Sequence, residues 1–289
     1  MRDFPSCSGE NGVQTADSSP SSNAGKTPQN LVVSIYRCRI RGGKTCLITV
    51  TWTKSLMGHC VTIQVDDSCN TSLCKVEIKP WLFTRRKGSK NLEAAYVFWD
   101  LSSARFGSSP EPLGGFYVCV VVDKEMALLL GDMRKEAFKK TNSASSLGGA
   151  VIVAKREHVF GKRTFETKAQ FSNDGRTHDL VIECDTSVGV SDPCLVVRVD
   201  GKTLMKVKRV HWKFRGNDTM VVDDRISVEV LWDVHSWFFG LPSSSPGHAV
   251  FMFRTCQPVD KTWSLAQVPT SSKSQSVGFS LVLYAWKNE

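Results

Sequence analysis

Pairs of a nucleophile and a base are the first chemistry to look for among the residues of this chain. Each of the six histidines stands singly, with no second histidine at metal-ligand spacing. The chain also lacks the Gly-x-Ser-x-Gly motif, which exposes a catalytic serine on a sharp turn. We therefore assign no catalytic residue. The histidines are His59, His158, His178, His211, His235 and His248.

The run Gly42-Gly43-Lys44-Thr45 is similar to the end of a nucleotide-binding P-loop. A P-loop requires a glycine five residues before its second glycine, and Cys38 stands at that position. A helix must also follow the loop, whereas residues 46–52 alternate as a strand does. Because Gly175-Arg176-Thr177 repeats the pattern later in the chain, a turn is favoured over phosphate binding.

Metal ligands are the next chemistry to weigh. The ten cysteines include no Cys-x-x-Cys pair. Most of them lie in apolar runs, which is typical of small buried residues. Cys69 and Cys74 flank a short loop and could form a disulfide. Acidic residues at strand ends could gather around calcium, but turn formation explains most of them, and no loop has the dense acidic spacing of a calcium site. We expect no metal and no cofactor. The acidic residues are Asp66, Asp67, Asp123, Asp200, Asp223 and Asp224.

Positive charge is the strongest functional feature of the sequence. A formal net charge of +9 favours an acidic protein or an acidic lipid surface as partner, although it also helps to keep a β-rich surface soluble. Nucleic acid is disfavoured because no exposed aromatic ladder for base stacking is evident. The candidates for binding an anionic partner are Arg37, Arg39, Arg41, Arg85, Arg86, Lys87, Lys90, Lys213 and Arg215.

Tryptophan followed by aspartate occurs twice, and a Phe-Gly pair follows each time at the same distance along the chain. Propeller repeats recur at about 40 residues, which is far shorter than the separation between the two motifs. One interpretation is structural: a core tryptophan ends a strand, and the aspartate binds backbone amides of the next loop. The other is that two loop mouths carry equivalent binding sites. The loop-mouth candidates are Trp99, Asp100, Phe106, Trp232, Asp233 and Phe239.

Three further local matches keep the same order at nearly the same separation as the two Trp-Asp motifs. They predict two pseudo-equivalent halves of about seven strands each. We place a disordered tail at 1–30, a first β repeat at 31–141, a linker at 142–149 and a second β repeat at 150–289. The matches join Gly43–Thr45 to Gly175–Thr177, Cys60–Asp66 to Cys194–Asp200 and Pro80–Phe83 to His211–Phe214.

Short runs of alternating apolar and polar residues predict an all-β fold. The halves are expected to be antiparallel β-sandwiches or barrels packed together, either as two domains or as one sandwich that mixes both. One short helix is predicted near 132–141, where Asp132 can cap the start and Lys139 and Lys140 suit the end.

The cellular setting follows from what the sequence lacks. No apolar run approaches the roughly 18 residues of a membrane-spanning helix, and the N-terminus lacks the apolar core of a secretory signal. We expect a soluble cytoplasmic protein, with a nuclear location left open. The sequence does not determine the oligomeric state.

Five segments form a distinctive combination: Lys79–Phe83, Phe98–Gly107, Pro110–Pro112, Gly115–Val118 and Leu128–Ala137. Together they resemble a plant-specific family of β-rich proteins that is catalogued only as a domain of unknown function. The resemblance covers the chain from about residue 31 to its end. It implies a plant origin but brings no established activity, cofactor or catalytic residue, so no site is carried over.

The sequence therefore favours a non-enzymatic β-rich binding or adaptor protein that binds an acidic partner or surface. Two alternatives stay open. One is an intracellular carrier of a small apolar or lipidic ligand, and the other is a hydrolase without recognisable motifs.

Overall fold

The computed structural model of the 289-residue chain describes residues 29–40, 43–67, 71–79, 85–92, 95–141, 149–172, 175–185, 192–240, 247–255 and 278–287. Several sequence-based predictions fall outside these ranges. They concern the tail at 1–28, Arg41, Cys69, the segment Pro80–Phe83 and most of the linker, 142–148.

The described part of the first half contains ten strands and one helix: β1 (Gln29–Arg39), β2 (Thr45–Ser55), β3 (Gly58–Asp66), β4 (Ser72–Ile78), β5 (Lys87–Leu92), β6 (Ala95–Asp100), β7 (Arg105–Phe106), β8 (Pro112–Gly114), β9 (Tyr117–Val122), β10 (Glu125–Gly131) and α1 (Arg134–Thr141). Strand β2 illustrates why these segments are extended. Ile48, Val50 and Trp52 are buried, whereas Thr49 and Thr51 between them are partly exposed, so the side chains alternate across the sheet with a period of two.

The described part of the second half contains nine strands and one helix: β11 (Val151–Gly161), β12 (Thr164–Ala169), β13 (His178–Cys184), β14 (Leu195–Val199), β15 (Lys202–Val207), β16 (Arg215–Val222), β17 (Ile226–Asp233), α2 (His235–Phe239), β18 (His248–Thr255) and β19 (Ser280–Lys287). A two-residue turn, Asp200-Gly201, connects β14 and β15. Both residues have positive φ, 49° and 78°, as a two-residue hairpin turn requires.

One nine-stranded sheet runs through both halves in the order β16-β17-β18-β19-β11-β1-β2-β3-β4. Strand β11 joins the halves because it pairs antiparallel with β1 and parallel with β19. Two four-stranded sheets, β10-β9-β6-β5 and β12-β13-β14-β15, complete the main layers. The prediction of an all-β fold is confirmed.

Both four-stranded sheets cover the same face of the large sheet. Val32 of β1 lies opposite Glu157 of β11, and Glu157 lies beside Leu283 of β19, so the three side chains point to one side. Val32 belongs to a core built from residues 32–128, and Leu283 belongs to a core built from residues 159–285. The two hydrophobic cores therefore lie side by side under one sheet.

The domain boundaries at 31–141 and 150–289 stay a prediction.

A buried polar seam, formed by Gln29, Lys155, Glu157 and Thr167, lies where the two cores meet. Glu157 is fully buried, and its carboxylate accepts hydrogen bonds from Gln29 Nε2 at 2.7 Å and from Thr167 Oγ1. The Lys155 ammonium lies 2.5 Å from the same carboxylate and 3.5 Å from that of Glu111. Gln29 and Glu111 belong to the first half and Thr167 to the second. The seam therefore connects side chains of both halves to Lys155 and Glu157 on β11.

The ionisation of the seam follows from these contacts. Burial opposes the charge of Lys155, but the carboxylates of Glu157 and Glu111 outweigh it and raise the pKa of Lys155 above its ordinary value. Burial, together with the negative charge of Glu111, raises the pKa of nearby Tyr36 to about 12. At neutral pH the Lys155 ammonium is therefore charged and the Tyr36 phenol is neutral.

The predicted helix near 132–141 is α1, which spans eight residues. Asp132 does not act as the predicted cap: its carboxylate accepts hydrogen bonds from the backbone N–H groups of Gly115 and Phe116. In the described part of the chain, neither α1 nor α2 is long and apolar enough to cross a membrane.

We predict that the Glu157→Gln variant is destabilised by about 3 kcal/mol, because Lys155 keeps its charge in a buried site without its main partner. Urea denaturation measures the change. Glu166→Gln, at an exposed position of β12, is the matched control and should change stability by less than about 0.5 kcal/mol. A Lys155→Met/Glu157→Met double variant should recover most of the loss. Equal stabilities for Glu157→Gln and the control would contradict the importance of the seam.

Candidate functional site

Trp99, at the end of β6, lies flat against the neighbouring strand β5. It pairs with Gly88, and a Cβ atom at Gly88 would come within 2.7 Å of Trp99 Cζ2, so only glycine leaves room for the indole. The next residue, Asp100, binds Lys87 Nζ at 2.7 Å and accepts a hydrogen bond from the Ser102 backbone N–H at 3.1 Å. We call this arrangement of tryptophan, glycine and aspartate the first clasp.

The second half contains the same arrangement between β16 and β17. Trp232 pairs with Gly216, where a Cβ atom would come within 2.5 Å of Trp232 Cζ2. Asp233 binds Arg215 Nε at 2.8 Å and accepts a hydrogen bond from the His235 backbone N–H at 3.0 Å. This second clasp repeats each contact of the first.

The indole nitrogens connect the clasps to the basic segments predicted to bind anions. Trp99 Nε1 donates a hydrogen bond to the Arg85 carbonyl oxygen at 3.3 Å, and Trp232 Nε1 donates to the Lys213 carbonyl oxygen at 2.9 Å. The side chains of Arg85 and Lys213 are exposed. The structure therefore brings two predicted groups of residues together, because each tryptophan holds the backbone of a basic segment.

Both clasp carboxylates are held in the ionised form. Burial alone would raise the pKa of Asp100, but its hydrogen bonds with Lys87 and Ser102 outweigh burial and bring the pKa below its ordinary value. Burial likewise opposes the charge of Asp233, and the Arg215 guanidinium overcomes it to lower the pKa of that carboxyl. Lys87 and Arg215 therefore neutralise the clasp carboxylates. The positive charge that these two residues can offer to an anionic partner is smaller than the sequence predicted.

A narrow cleft opens beside the first clasp, where Arg85 and Arg86 meet the ends of β3 and β4. Its cavity volume is about 20 Å³. The His59 imidazole stacks on the Phe106 ring inside it, with centroids 3.8 Å apart and planes 22° apart. The lining residues are Trp52, His59, Cys60, Val61, Ile78, Lys79, Arg85, Arg86, Leu101 and Phe106. We call it the basic cleft.

Positive charge surrounds the aromatic floor of the basic cleft. Lys79, Arg85 and Arg86 are exposed at its rim, and Lys54 Nζ reaches the Gly107 carbonyl oxygen at 3.4 Å beside it. Burial, followed by the charge of Lys54, lowers the pKa of His59. His59 is therefore a neutral aromatic surface at neutral pH, and the cations at the rim supply the charge.

Aromatic side chains cluster at the corresponding place beside the second clasp. The rings of Phe214, His235 and Phe239 lie with centroids 5.0 to 5.5 Å apart, and the Arg215 guanidinium lies 5.7 Å from the Phe214 centroid. Phe239 is 52% exposed, which makes it the most accessible of the predicted loop-mouth residues. This end presents an aromatic surface with cations beside it.

The two ends lie far apart. The basic cleft is lined by β3 and β4, and Arg215 opens β16, at opposite edges of the nine-stranded sheet. Eight strand spacings of about 4.8 Å separate β4 from β16, or roughly 38 Å along the sheet. Arg37 and Arg39 lie elsewhere, on β1 in the interior of the sheet, and Lys90 lies on β5. The predicted basic residues therefore form separate patches.

Reasoning from the sequence missed several residues of these sites. Lys54, His59 and Lys79 of the basic cleft were not selected, because none of them belongs to a cluster of basic residues in the sequence. The clasp glycines were missed too, although a signal existed: a basic residue precedes glycine in both Lys87-Gly88 and Arg215-Gly216. Paired with the two Trp-Asp motifs, those dipeptides mark the facing strands.

We predict that Gly88→Ala and Gly216→Ala each destabilise the protein by about 1–3 kcal/mol, because the added methyl group displaces a packed indole ring. Gly149→Ala is the matched control, since a Cβ atom there meets nothing within 4 Å. Thermal and urea unfolding of the three variants measure the effect. A stability loss no larger than that of Gly149→Ala would show that the indoles have room to move.

A family model matches residues 27–287 of the chain, whereas no curated protein and no solved structure gives a match. The match covers both clasps and the basic cleft. The family is described by its plant origin and its unknown function, in agreement with the resemblance found in the sequence. The chain therefore belongs to the family of plant proteins of unknown function (DUF868).

Proposed function

We propose that the protein is a non-enzymatic binding or adaptor protein that holds an acidic partner at the basic cleft. One observation carries this proposal: Lys54, Lys79, Arg85 and Arg86 surround a recessed aromatic floor of His59 stacked on Phe106. Cations at a rim attract carboxylates, and a recessed apolar floor accepts a side chain between them. We place this activity in the cytoplasm.

The partner best suited to the basic cleft is an acidic segment of another protein. A volume of about 20 Å³ holds little more than one water molecule, which is too small for a lipid chain or a cofactor. A segment that crosses the rim can instead pair its carboxylates with Arg85 and Arg86 while one apolar side chain contacts the floor. The net charge of +9 adds long-range attraction for such a segment.

We infer further that the two halves arose by internal duplication. The matched contacts of the clasps support this inference, as does the strand order. The sheet β10-β9-β6-β5 of the first half corresponds to the run β19-β18-β17-β16 of the second. With one clasp near each edge of the large sheet, the protein has the layout of an adaptor whose ends face different partners.

We predict that Arg85→Glu/Arg86→Glu loses acidic partners in a pull-down from plant extract at about 50 mM salt, where exposed charges are weakly screened. Wild-type binding should fall in the same way at about 500 mM salt. Lys139→Glu/Lys140→Glu on α1 is the matched control, because it reverses the same number of exposed cations on another part of the first half. Quantitative mass spectrometry compares the captured proteins.

Equal capture by the two double variants, or capture that does not weaken with salt, would contradict the proposal. Circular dichroism of each variant checks that the fold is intact. If wild type binds phosphatidylserine vesicles and captures no proteins, the partner of the basic cleft is a membrane surface. A lipid extracted from freshly purified protein would favour the carrier instead.

A further inference from the structure

Three side chains that are distant in sequence meet at one end of the second half. His178 opens β13, Asp200 lies in the turn between β14 and β15, and Asp223 lies in the turn between β16 and β17. His178 Nδ1 is 2.8 Å from Asp200 Oδ2, and His178 Nε2 is 3.9 Å from Asp223 Oδ2. The imidazole therefore lies between two carboxylates.

The two carboxylates are held by different layers of the fold. Asp200 belongs to the four-stranded sheet, where its Oδ1 also accepts the Asp179 backbone N–H at 2.9 Å. Asp223 belongs to the large sheet, and its backbone has a positive φ of 52°. Turn geometry explains why aspartate occurs at these positions, but it does not explain why both turns face one histidine.

His178 is fully buried, and its Nε2 atom makes no hydrogen bond to any described residue. The short contact from Nδ1 to Asp200 places a proton on Nδ1, since an ionised carboxylate can only accept. The other ring nitrogen, Nε2, lies 3.9 Å from Asp223 Oδ2. That separation is too long for a hydrogen bond, so the buried Nε2 atom faces a carboxylate without a hydrogen bond to it.

We propose that His178 Nε2 and Asp223 Oδ2 bind a divalent transition-metal ion, with Zn²⁺ as the representative, and that Asp200 orients the imidazole. Zinc binds histidine nitrogen and carboxylate oxygen at about 2.0–2.2 Å, so an ion fits between atoms 3.9 Å apart after a small rotation of Asp223. A carboxylate that accepts the other ring N–H is the usual outer partner of a metal-bound histidine. Water completes the coordination.

Arg176 competes with the ion for Asp223. Its guanidinium lies 2.7 Å from Asp223 Oδ2 and is 56% exposed, so it can move away into solvent when a metal ion takes over the charge. Among the described residues, the first half has no comparable group of ligands. Cys46 stands in place of His178 when the two halves are aligned with Gly43 opposite Gly175.

Isothermal titration of the full chain with Zn²⁺ at pH 7.5 tests the proposal. Asp223→Asn keeps a residue that tolerates positive φ but removes the ligand charge, and it should weaken the strongest zinc site at least tenfold. Asp200→Asn should weaken the site by about 10 to 100-fold through the loss of imidazole orientation. Asp123→Asn is the matched control, since Asp123 has a φ of 50° in a remote hairpin and should bind zinc like wild type.

Two further readouts keep the test independent of any variant that folds poorly. Zinc should raise the melting temperature of wild type but not of Asp223→Asn, and its affinity should fall at pH 5.5 because protons compete for Nε2. Arg176→Ala should bind zinc more tightly than wild type. Absence of zinc binding by wild type, or equal affinity in Asp223→Asn and Asp123→Asn, would overturn the proposal.

Discussion

The buried Glu157 carboxylate is the constraint on which the joined sheet depends. A charge removed from water must be fully paired, and Glu157 finds its partners in Lys155 on the same strand, Gln29 from the first half and Thr167 from the second. These contacts can form together only when β1, β11 and β12 keep their observed register. Apolar contacts between the two cores would allow a change in the register of these strands, whereas the hydrogen bonds and the ion pair of the polar seam would not.

The joined sheet also decides where function can lie. Because β4 and β16 are its two edges, the clasps near them present their basic segments at opposite ends of the molecule. Each indole lies on a glycine and holds the carbonyl group of a basic residue, so the rigid packing of the core fixes the position of exposed charge. The two clasps have different surroundings: the basic cleft lies beside Trp99, and an aromatic cluster lies beside Trp232.

The histidine between two turns adds a different kind of chemistry to the second half. Exposed aspartates in hairpin turns are ordinary, and a buried histidine with one carboxylate partner is ordinary as well. The combination is unusual because the second carboxylate faces an imidazole nitrogen without a hydrogen bond. Such an arrangement gives this chain a specific property to measure, apart from any partner at the basic cleft.

The sequence by itself determined the all-β class and the repetition of the Trp-Asp motif, whereas its estimate of about seven strands per half was below the ten and nine that the described residues form. Alternation in segments such as Ile48–Trp52 fixes which face a residue takes, and the repeated motif with its Phe-Gly pair marked Trp99 and Trp232 as equivalent. Only the tertiary structure decided that Trp99 lies on Gly88, that Lys155 is buried against Glu157 and that His178 faces Asp223. The physical reason is that alternation specifies a face but not a neighbour: contacts between distant residues depend on which strands pair and which sheets stack.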